Sequence, residues 1–396
     1  MATPRNAYIP HLETQEEYFD LFDGFTSEVP DAASRKKLPG GLLKSYLLET
    51  VGPSAEPEEF ERILRRSGLF GEAIGDEETV FRIVDDKRQG IALAERFGSR
   101  YLALYTLLPS RQSDGLVGKA VLTNPMLDHL WISSQTFGAL WDYVRSVNTG
   151  KRYGRLTFEH ESLFDIEESE SDGIDSERRT SRFTMVDKLD VIAARMVPLQ
   201  EMYAPLHSIT HLRIPAASRG GHDLYFDGKI TNRSDSFLDH RGALKYVVDV
   251  YSQLTADVED RLWFADSTNG VGDLELNGAV AELIFGQPLP EPTFRRWVMT
   301  LFNKRNNRFR IGGFPNWLSE RKVQANAIDL HLWQPLLLEL TPQRVVAVLP
   351  KGTCGNTINR LVSNIQRFVD PNVTAYVGGV NYSDLVPRPD VDRVAS

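Results

Sequence analysis

The spacing of apolar residues in this 396-residue chain changes near residue 79. Before that point it follows one face of a helix, in Tyr18, Leu21, Phe22 and Phe25. Residues 79–84 and 90–97 instead have the pattern of extended strands, and Gly98-Ser99 separates the second of these from a similar run at 100–105. A short Gly-containing link between two such runs is typical of a β-hairpin. The pattern therefore predicts an α+β fold with largely antiparallel sheets and an N-terminal helical segment that extends to about residue 70.

Later segments of the chain carry further turn and helix signals. Asp227-Gly228 predicts a type I′ hairpin, because both central positions of that turn need a positive φ, and Asn277-Gly278 gives a second hairpin signal. A helical pattern begins at Val186 and meets Pro198, which we expect to kink it or to start a new turn. Residues 345–369 predict a C-terminal strand-turn-helix unit.

An acidic segment divides the chain. Within residues 165–177, seven of the thirteen side chains are carboxylates: Asp165, Glu167, Glu168, Glu170, Asp172, Asp175 and Glu177. Such a segment has no apolar face to bury, so we interpret 165–182 as a linker or mobile loop. The length exceeds the roughly 150 residues of an average domain, which favours two domains. The predicted organisation is an N-terminal α+β domain at 1–164, a C-terminal α+β domain at 183–387 and a frayed tail at 388–396.

Composition excludes several classes of protein. The single cysteine, Cys354, rules out an intramolecular disulfide and a cysteine-based zinc finger. The first twenty residues lack a basic region followed by an apolar one, and no run approaches 18 apolar residues. We therefore expect a soluble, cytoplasmic protein with no membrane partner. Lys and Arg number 45 and Asp and Glu 54, which gives a net charge of −9, so binding to nucleic acid would need a local basic patch.

The first functional hypothesis concerns a basic and aromatic segment at residues 303–322. Cations for phosphates next to aromatic rings for base stacking are typical of a nucleic-acid groove. The predicted contact residues are Lys304, Arg305, Arg308, Phe309, Arg310, Trp317, Arg321 and Lys322. Gly312-Gly313 predicts a hairpin that would present the aromatic rings, which include Phe314. The alternative is an ordinary hairpin whose rings point into the core while its charges face water.

The second hypothesis concerns the turn at residues 349–357, between a predicted strand and a predicted helix. Unpaired backbone N–H groups at a helix N-terminus can hold a phosphate or carboxylate. The candidate anion-binding residues are Lys351, Gly352, Thr353, Gly355 and Thr357. The same position can lower the pKa of the Cys354 thiol, and His331 is the candidate base for a cysteine nucleophile. The alternative is a tight glycine turn in which Cys354 is a small buried residue.

Four of the eight histidines, His207, His211, His222 and His240, fall within 34 residues. Their spacing matches no standard metal motif, so we predict no metal and no cofactor. The leading hypothesis is an intracellular protein that binds nucleic acid or a protein complex through the basic and aromatic segment. The alternatives are an enzyme that uses the turn at 351–357 and a scaffold without catalytic activity.

Overall fold

A computed structural model describes most of the chain. The described residues are 8–27, 41–50, 57–75, 79–147, 152–162, 180–216, 219–268, 274–303 and 308–388. The predicted acidic run at 165–177, the candidates Lys304 and Arg305, and the tail beyond residue 388 therefore lie outside the described residues. The fold is α+β with two regions of antiparallel sheet, and an N-terminal helix is present, as the sequence predicts.

The chain divides into two compact units, each built from two separate stretches. The first unit comprises residues 1–130 and 212–249, and the second comprises 131–211 and 250–396. This division does not follow the predicted boundary at 165–182, of which residues 180–182 begin a strand.

In the described residues up to 130 there are two helices and five strands, followed by a third helix and a short strand. They are α1 (Gln15–Ser27), β1 (Lys44–Thr50), α2 (Pro57–Arg66), β2 (Phe70–Ile74), β3 (Val80–Val84), β4 (Gly90–Phe97), β5 (Tyr101–Thr106), α3 (Ser110–Thr123) and β6 (Leu127–His129). The predicted hairpin at Gly98-Ser99 is confirmed, because β4 pairs with β5 in antiparallel register. Strand β1 corrects the prediction that the segment up to about residue 70 is all helical. All seven of its residues are buried, so it lacks the alternation that reveals a half-exposed strand.

The middle of the chain contributes residues 131–211 to the second unit and residues 212–249 to the first. Its elements are α4 (Ser134–Val147), β7 (Tyr153–Glu161), β8 (Thr180–Lys188), α5 (Leu189–Met202), a 3₁₀ turn (Ala204–His207), β9 (Ile209–Pro215), β10 (Gly221–Tyr225), β11 (Lys229–Asn232) and α6 (Phe237–Leu262). The helix predicted from Val186 begins three residues later, after β8, and continues through Pro198. Asp227-Gly228 does join two paired strands, but Gly228 alone of the two has a positive φ, so the turn is not type I′.

The C-terminal part supplies most of the second unit. Its elements are β12 (Ala265–Thr268), β13 (Leu274–Asn277), β14 (Ala281–Ile284), α7 (Glu291–Leu301), β15 (Ile311–Gly313), β16 (Asn316–Ser319), β17 (Lys322–Asp329), β18 (Gln334–Leu340), β19 (Arg344–Val348), α8 (Asn356–Phe368), β20 (Thr374–Val377), β21 (Val380–Asn381) and α9 (Tyr382–Leu385). The strand-turn-helix prediction is confirmed by β19 and α8.

Two predicted hairpins in this part are wrong. Asn277-Gly278 links β13, which pairs with β12, to β14, which pairs with β19 and β20. Gly312-Gly313 lies within β15, and the nearby hairpin instead turns at Glu320-Arg321 between β16 and β17. Glycine permits a turn but also permits close strand packing, so its position alone does not distinguish the two.

Each unit contains paired strands and buried apolar residues. In the first unit the strand order is β2-β3-β4-β5-β1-β11-β10, with β6 also paired to β1. In the second unit it is β15-β17-β18-β19-β14-β20-β21, with β16 paired to β17. Helix α8 is buried on almost every side, which makes it a central helix of the second unit.

Candidate functional site

At residues 308 and 309, the basic and aromatic segment contacts the interior of the second unit. Phe309 is fully buried, and its backbone carbonyl accepts a hydrogen bond from Arg360 Nε at 2.7 Å. Arg308 forms an ion pair with Glu161 and lies 4.2 Å from the centre of the Phe368 ring. These contacts leave the Phe309 ring without the exposed face that base stacking requires.

The remaining predicted contact residues differ in exposure. Arg310 donates a hydrogen bond from Nη2 to the backbone carbonyl of Leu330 at 3.2 Å. The Trp317 ring is half-buried, edge-on to Phe294, with Arg295 5.4 Å from its centre. Arg321 is exposed, and Lys322 pairs with Glu339 at 2.9 Å. The structure therefore separates this segment into an inward part and an outward part.

The outward part borders an open face of the second sheet. Along β17 every second side chain is buried, and the alternate ones, among them Gln324, Asn326 and Ile328, face outward. Strand β18 continues the face with Leu337, which is 44% exposed. Because alternate residues of a strand point to opposite sides, this face carries a different set of side chains from the core face.

A cavity of about 660 Å³ lies on this face. Its lining includes three carboxamide side chains, one ion pair and several apolar residues: Asn316, Gln324, Asn326, Arg344, Glu282, Leu337, Val346 and Phe314. Phe314 is 80% exposed, the most exposed phenylalanine among the described residues. An aromatic ring offers a flat surface for stacking, and each carboxamide offers both a donor and an acceptor. The volume falls within the range of small-molecule sites.

In the predicted anion-binding turn, several polar groups already form hydrogen bonds with other residues of the chain. The backbone N–H of Gly355 donates to Glu259 Oε1 at 2.8 Å, and that of Thr353 donates to the carbonyl of Pro350. The hydroxyl of Thr357 donates to Asp329. Lys351 and Gly352 remain exposed. An incoming anion would have to compete with the Glu259 carboxylate at the N-terminus of α8.

The two weaker sequence candidates, Cys354 and His331, do come together. A ring nitrogen of His331 and Cys354 Sγ lie within 4.8 Å of each other, and both residues are buried. The backbone N–H of Cys354 donates to Gln334 Oε1 at 2.9 Å. Residues 23 apart in sequence meet here because the turn before β18 and the turn before α8 lie side by side.

A buried ion pair next to this site was not predicted from the sequence. Asp329 at the end of β17 accepts a hydrogen bond from Arg360 Nη2 at 2.5 Å and another from the backbone N–H of His331 at 2.8 Å. Both side chains of the pair are almost fully buried. The available signal was an arginine among the apolar residues of α8, since an unpaired charge is not tolerated in a core.

The clustered histidines do not gather around one point. His207 and His211 belong to the second unit, where they contact the carbonyl of Gln200 and the hydroxyl of Thr157. In the first unit His240 Nε2 lies 2.8 Å from Ser45 Oγ, and His240 Nδ1 lies 3.2 Å from His222 Nδ1. Burial lowers the pKa of His222 to about 4 and also lowers that of His240. This arrangement is a buried network of neutral side chains.

No helix in the described part of the chain is both long and apolar enough to cross a membrane. The chain is similar to a protein of Methanocaldococcus jannaschii named uncharacterized protein MJECL33. The two are 27% identical over 363 residues, which cover 83% of this chain and 85% of that protein. Residues 20–384 match the family described as MJECL33-like protein, so the match extends over both units. The chain therefore belongs to the MJECL33-like protein family.

Proposed function

We propose that the open face of the second sheet binds single-stranded nucleic acid. The observation that carries the proposal is the exposed ring of Phe314 beside a cavity that three carboxamides line. A base can stack on such a ring, and its edge can exchange hydrogen bonds with Asn316, Gln324 or Asn326. Stacking tolerates any base because every base has a flat π-face.

The proposal moves the predicted site within the same segment. Of the predicted contacts, Phe309 is buried, while the half-buried Arg308 and Arg310 already contact Glu161 and the carbonyl of Leu330. The cations on the open face, Lys322 and Arg344, pair with Glu339 and Glu282. We therefore expect few phosphate contacts and only a shallow dependence of affinity on salt, since each neutralised phosphate adds to that slope.

The test is fluorescence anisotropy with labelled single-stranded DNA and RNA at two salt concentrations. Phe314→Ala should weaken binding by about 1–3 kcal/mol, roughly fivefold to more than a hundredfold, because it removes one stacking surface. Phe183→Ala is a matched control, since Phe183 is also an exposed phenylalanine of the second unit but lies on β8, away from the cavity lining.

Failure of the wild-type protein to bind either oligonucleotide at low salt would contradict the proposal. Equal losses in the Phe314 and Phe183 variants would also contradict it, because they would indicate a general effect of removing an exposed ring. The predictions of an enzyme at residues 351–357 and of a protein scaffold would then become the next ones to examine.

A further inference from the structure

The second unit contains a thiol and an imidazole that the nucleic-acid proposal does not use. Cys354 precedes α8, and His331 lies in the turn between β17 and β18. A ring nitrogen of the histidine and the cysteine sulfur are within 4.8 Å of each other, while the two residues are 0% and 4% exposed. We propose that Cys354 and His331 are two ligands of a thiophilic metal ion of the Zn²⁺ or Cu⁺ class.

The separation of the two ligand atoms suits an ion placed between them. Zinc–sulfur and zinc–nitrogen bonds are about 2.3 Å and about 2.0 Å long, so two ligands of one ion are at most about 4.3 Å apart. A separation within 4.8 Å requires at most a small side-chain adjustment. Thiolate and imidazole together favour zinc and copper over magnesium or calcium.

Both ligands are held in position by other parts of the same unit. The side chain of Gln334 accepts a hydrogen bond from the Cys354 N–H and donates one to the carbonyl of Gly352 at 2.8 Å, which ties the two turns together. The N–H of His331 donates to Asp329, whose carboxylate is fixed by Arg360. Such supporting contacts orient ligands before the ion arrives.

A carboxylate lies at the same turn. Glu259 accepts a hydrogen bond from the backbone N–H of Gly355, the residue that follows Cys354. The thiol would give up one proton as a metal–sulfur bond forms.

The test uses the full-length chain after treatment with a chelator, with Co²⁺ as a spectroscopic probe for the zinc class. Binding of one ion per chain should produce a thiolate-to-cobalt charge-transfer band, and added Zn²⁺ should abolish it. Cys354→Ser should eliminate the band, and His331→Asn should lower the affinity at least roughly tenfold. His207→Asn is the control, because His207 belongs to the same unit but contacts the carbonyl of Gln200. A charge-transfer band that persists in the Cys354 variant would overturn the proposal, as would its absence in the wild type.

A second measurement uses only the wild-type protein, so it does not depend on whether a variant folds. Cys354 is the only cysteine of the chain, so a thiol-alkylating reagent reports on this one site. One equivalent of Zn²⁺ should slow alkylation of the wild-type protein roughly tenfold or more, because a metal-bound sulfur is a poorer nucleophile. Equal alkylation rates with and without Zn²⁺ would also overturn the assignment. Neither readout involves oligonucleotide binding, so the result is independent of the function proposed for the open face.

Discussion

Two buried polar networks, one in each unit, differ in their charge. In the first unit, Ser45, His240 and His222 form a buried network without formal charge. In the second unit, Asp329 and Arg360 form a buried ion pair. A neutral network needs no counter-charge, but its histidines can gain a proton in acid, because burial lowers the pKa of His222 only to about 4. An ion pair becomes costly when one partner is lost.

The comparison indicates what each network specifies. The ion pair connects the end of β17 to the middle of α8, and Arg360 also binds the carbonyl of Phe309. It therefore fixes three segments that are remote in sequence. The histidine network joins β1, β10 and α6, and β1 and β10 are already linked because both pair with β11. We expect the Asp329–Arg360 pair to contribute more to the stability of the second unit than the histidine network contributes to that of the first.

The largest expected effect is the loss of the buried carboxylate. Asp329→Ala leaves the Arg360 guanidinium buried without its counter-ion, so the free energy of unfolding should fall by about 3–5 kcal/mol. Urea unfolding followed by hydrogen exchange of β17 and α8 peptides measures this loss. Asp187→Ala breaks an exposed pair with Arg195 in the same unit and should cost no more than about 1 kcal/mol. Equal losses in the two variants would remove the distinction between the networks.

Lowering the pH should destabilise the first unit through its buried histidines. Because burial holds the pKa of His222 near 4, the unfolded chain binds more protons than the folded one once the pH falls below about 6.5. Stability of the first unit should therefore be complete above that pH and should decrease as the pH falls toward 4. The loss that His222 contributes would be on the order of 3 kcal/mol. Nearby Asp223 and Asp239 act in the opposite direction on the pKa of His222 but do not outweigh burial.

Hydrogen exchange of β1 and β10 peptides between pH 7 and pH 4.5, corrected for intrinsic exchange, measures this effect. His222→Gln removes one titrating group, so its stability should change less with pH than that of the wild type. A first unit whose protection is independent of pH would contradict the interpretation of a neutral network.

A smaller effect should come from the packing that positions α8. A Cβ atom at Gly355 would lie 2.8 Å from the carbonyl oxygen of Thr255 and 2.9 Å from Cγ of Glu259. Gly355→Ala should therefore cost about 2 kcal/mol, as other overpacked sites do. Gly138→Ala in α4 is the matched control, because nothing lies within 4 Å of its added methyl group, and it should be neutral or slightly stabilising. Thermal unfolding of both variants would compare them, and a neutral Gly355 variant would show that α8 can shift without cost.

The smallest expected effect is the removal of one neutral hydrogen bond. Ser45→Ala deletes the hydroxyl that contacts His240 Nε2 and should reduce stability by about 1 kcal/mol. Urea unfolding at pH 7.5 measures it where both histidines are neutral. A loss of stability as large as that of Asp329→Ala would mean that removing one partner costs as much in the neutral network as in the ion pair.

Much of the secondary structure was accessible from periodicity. The hairpin of β4 and β5, the strands β17 to β19 and the helix α8 follow patterns that local spacing determines. Strand β1 was missed because burial on both faces removes the alternation. The glycine pair in β15 was mistaken for a turn, because φ freedom serves close packing as well as turning.

The candidate sites could be predicted only in part from local sequence. The sequence by itself determined that aromatic and basic residues gather near residue 310 and that a lone cysteine precedes a helix. Only the tertiary structure decided that Phe309 points inward while Phe314 is exposed. The same holds for Glu259 at the start of α8 and for His331 beside Cys354. The physical reason is that side-chain spacing is a property of one element, whereas burial and charge partners depend on which distant elements pack together.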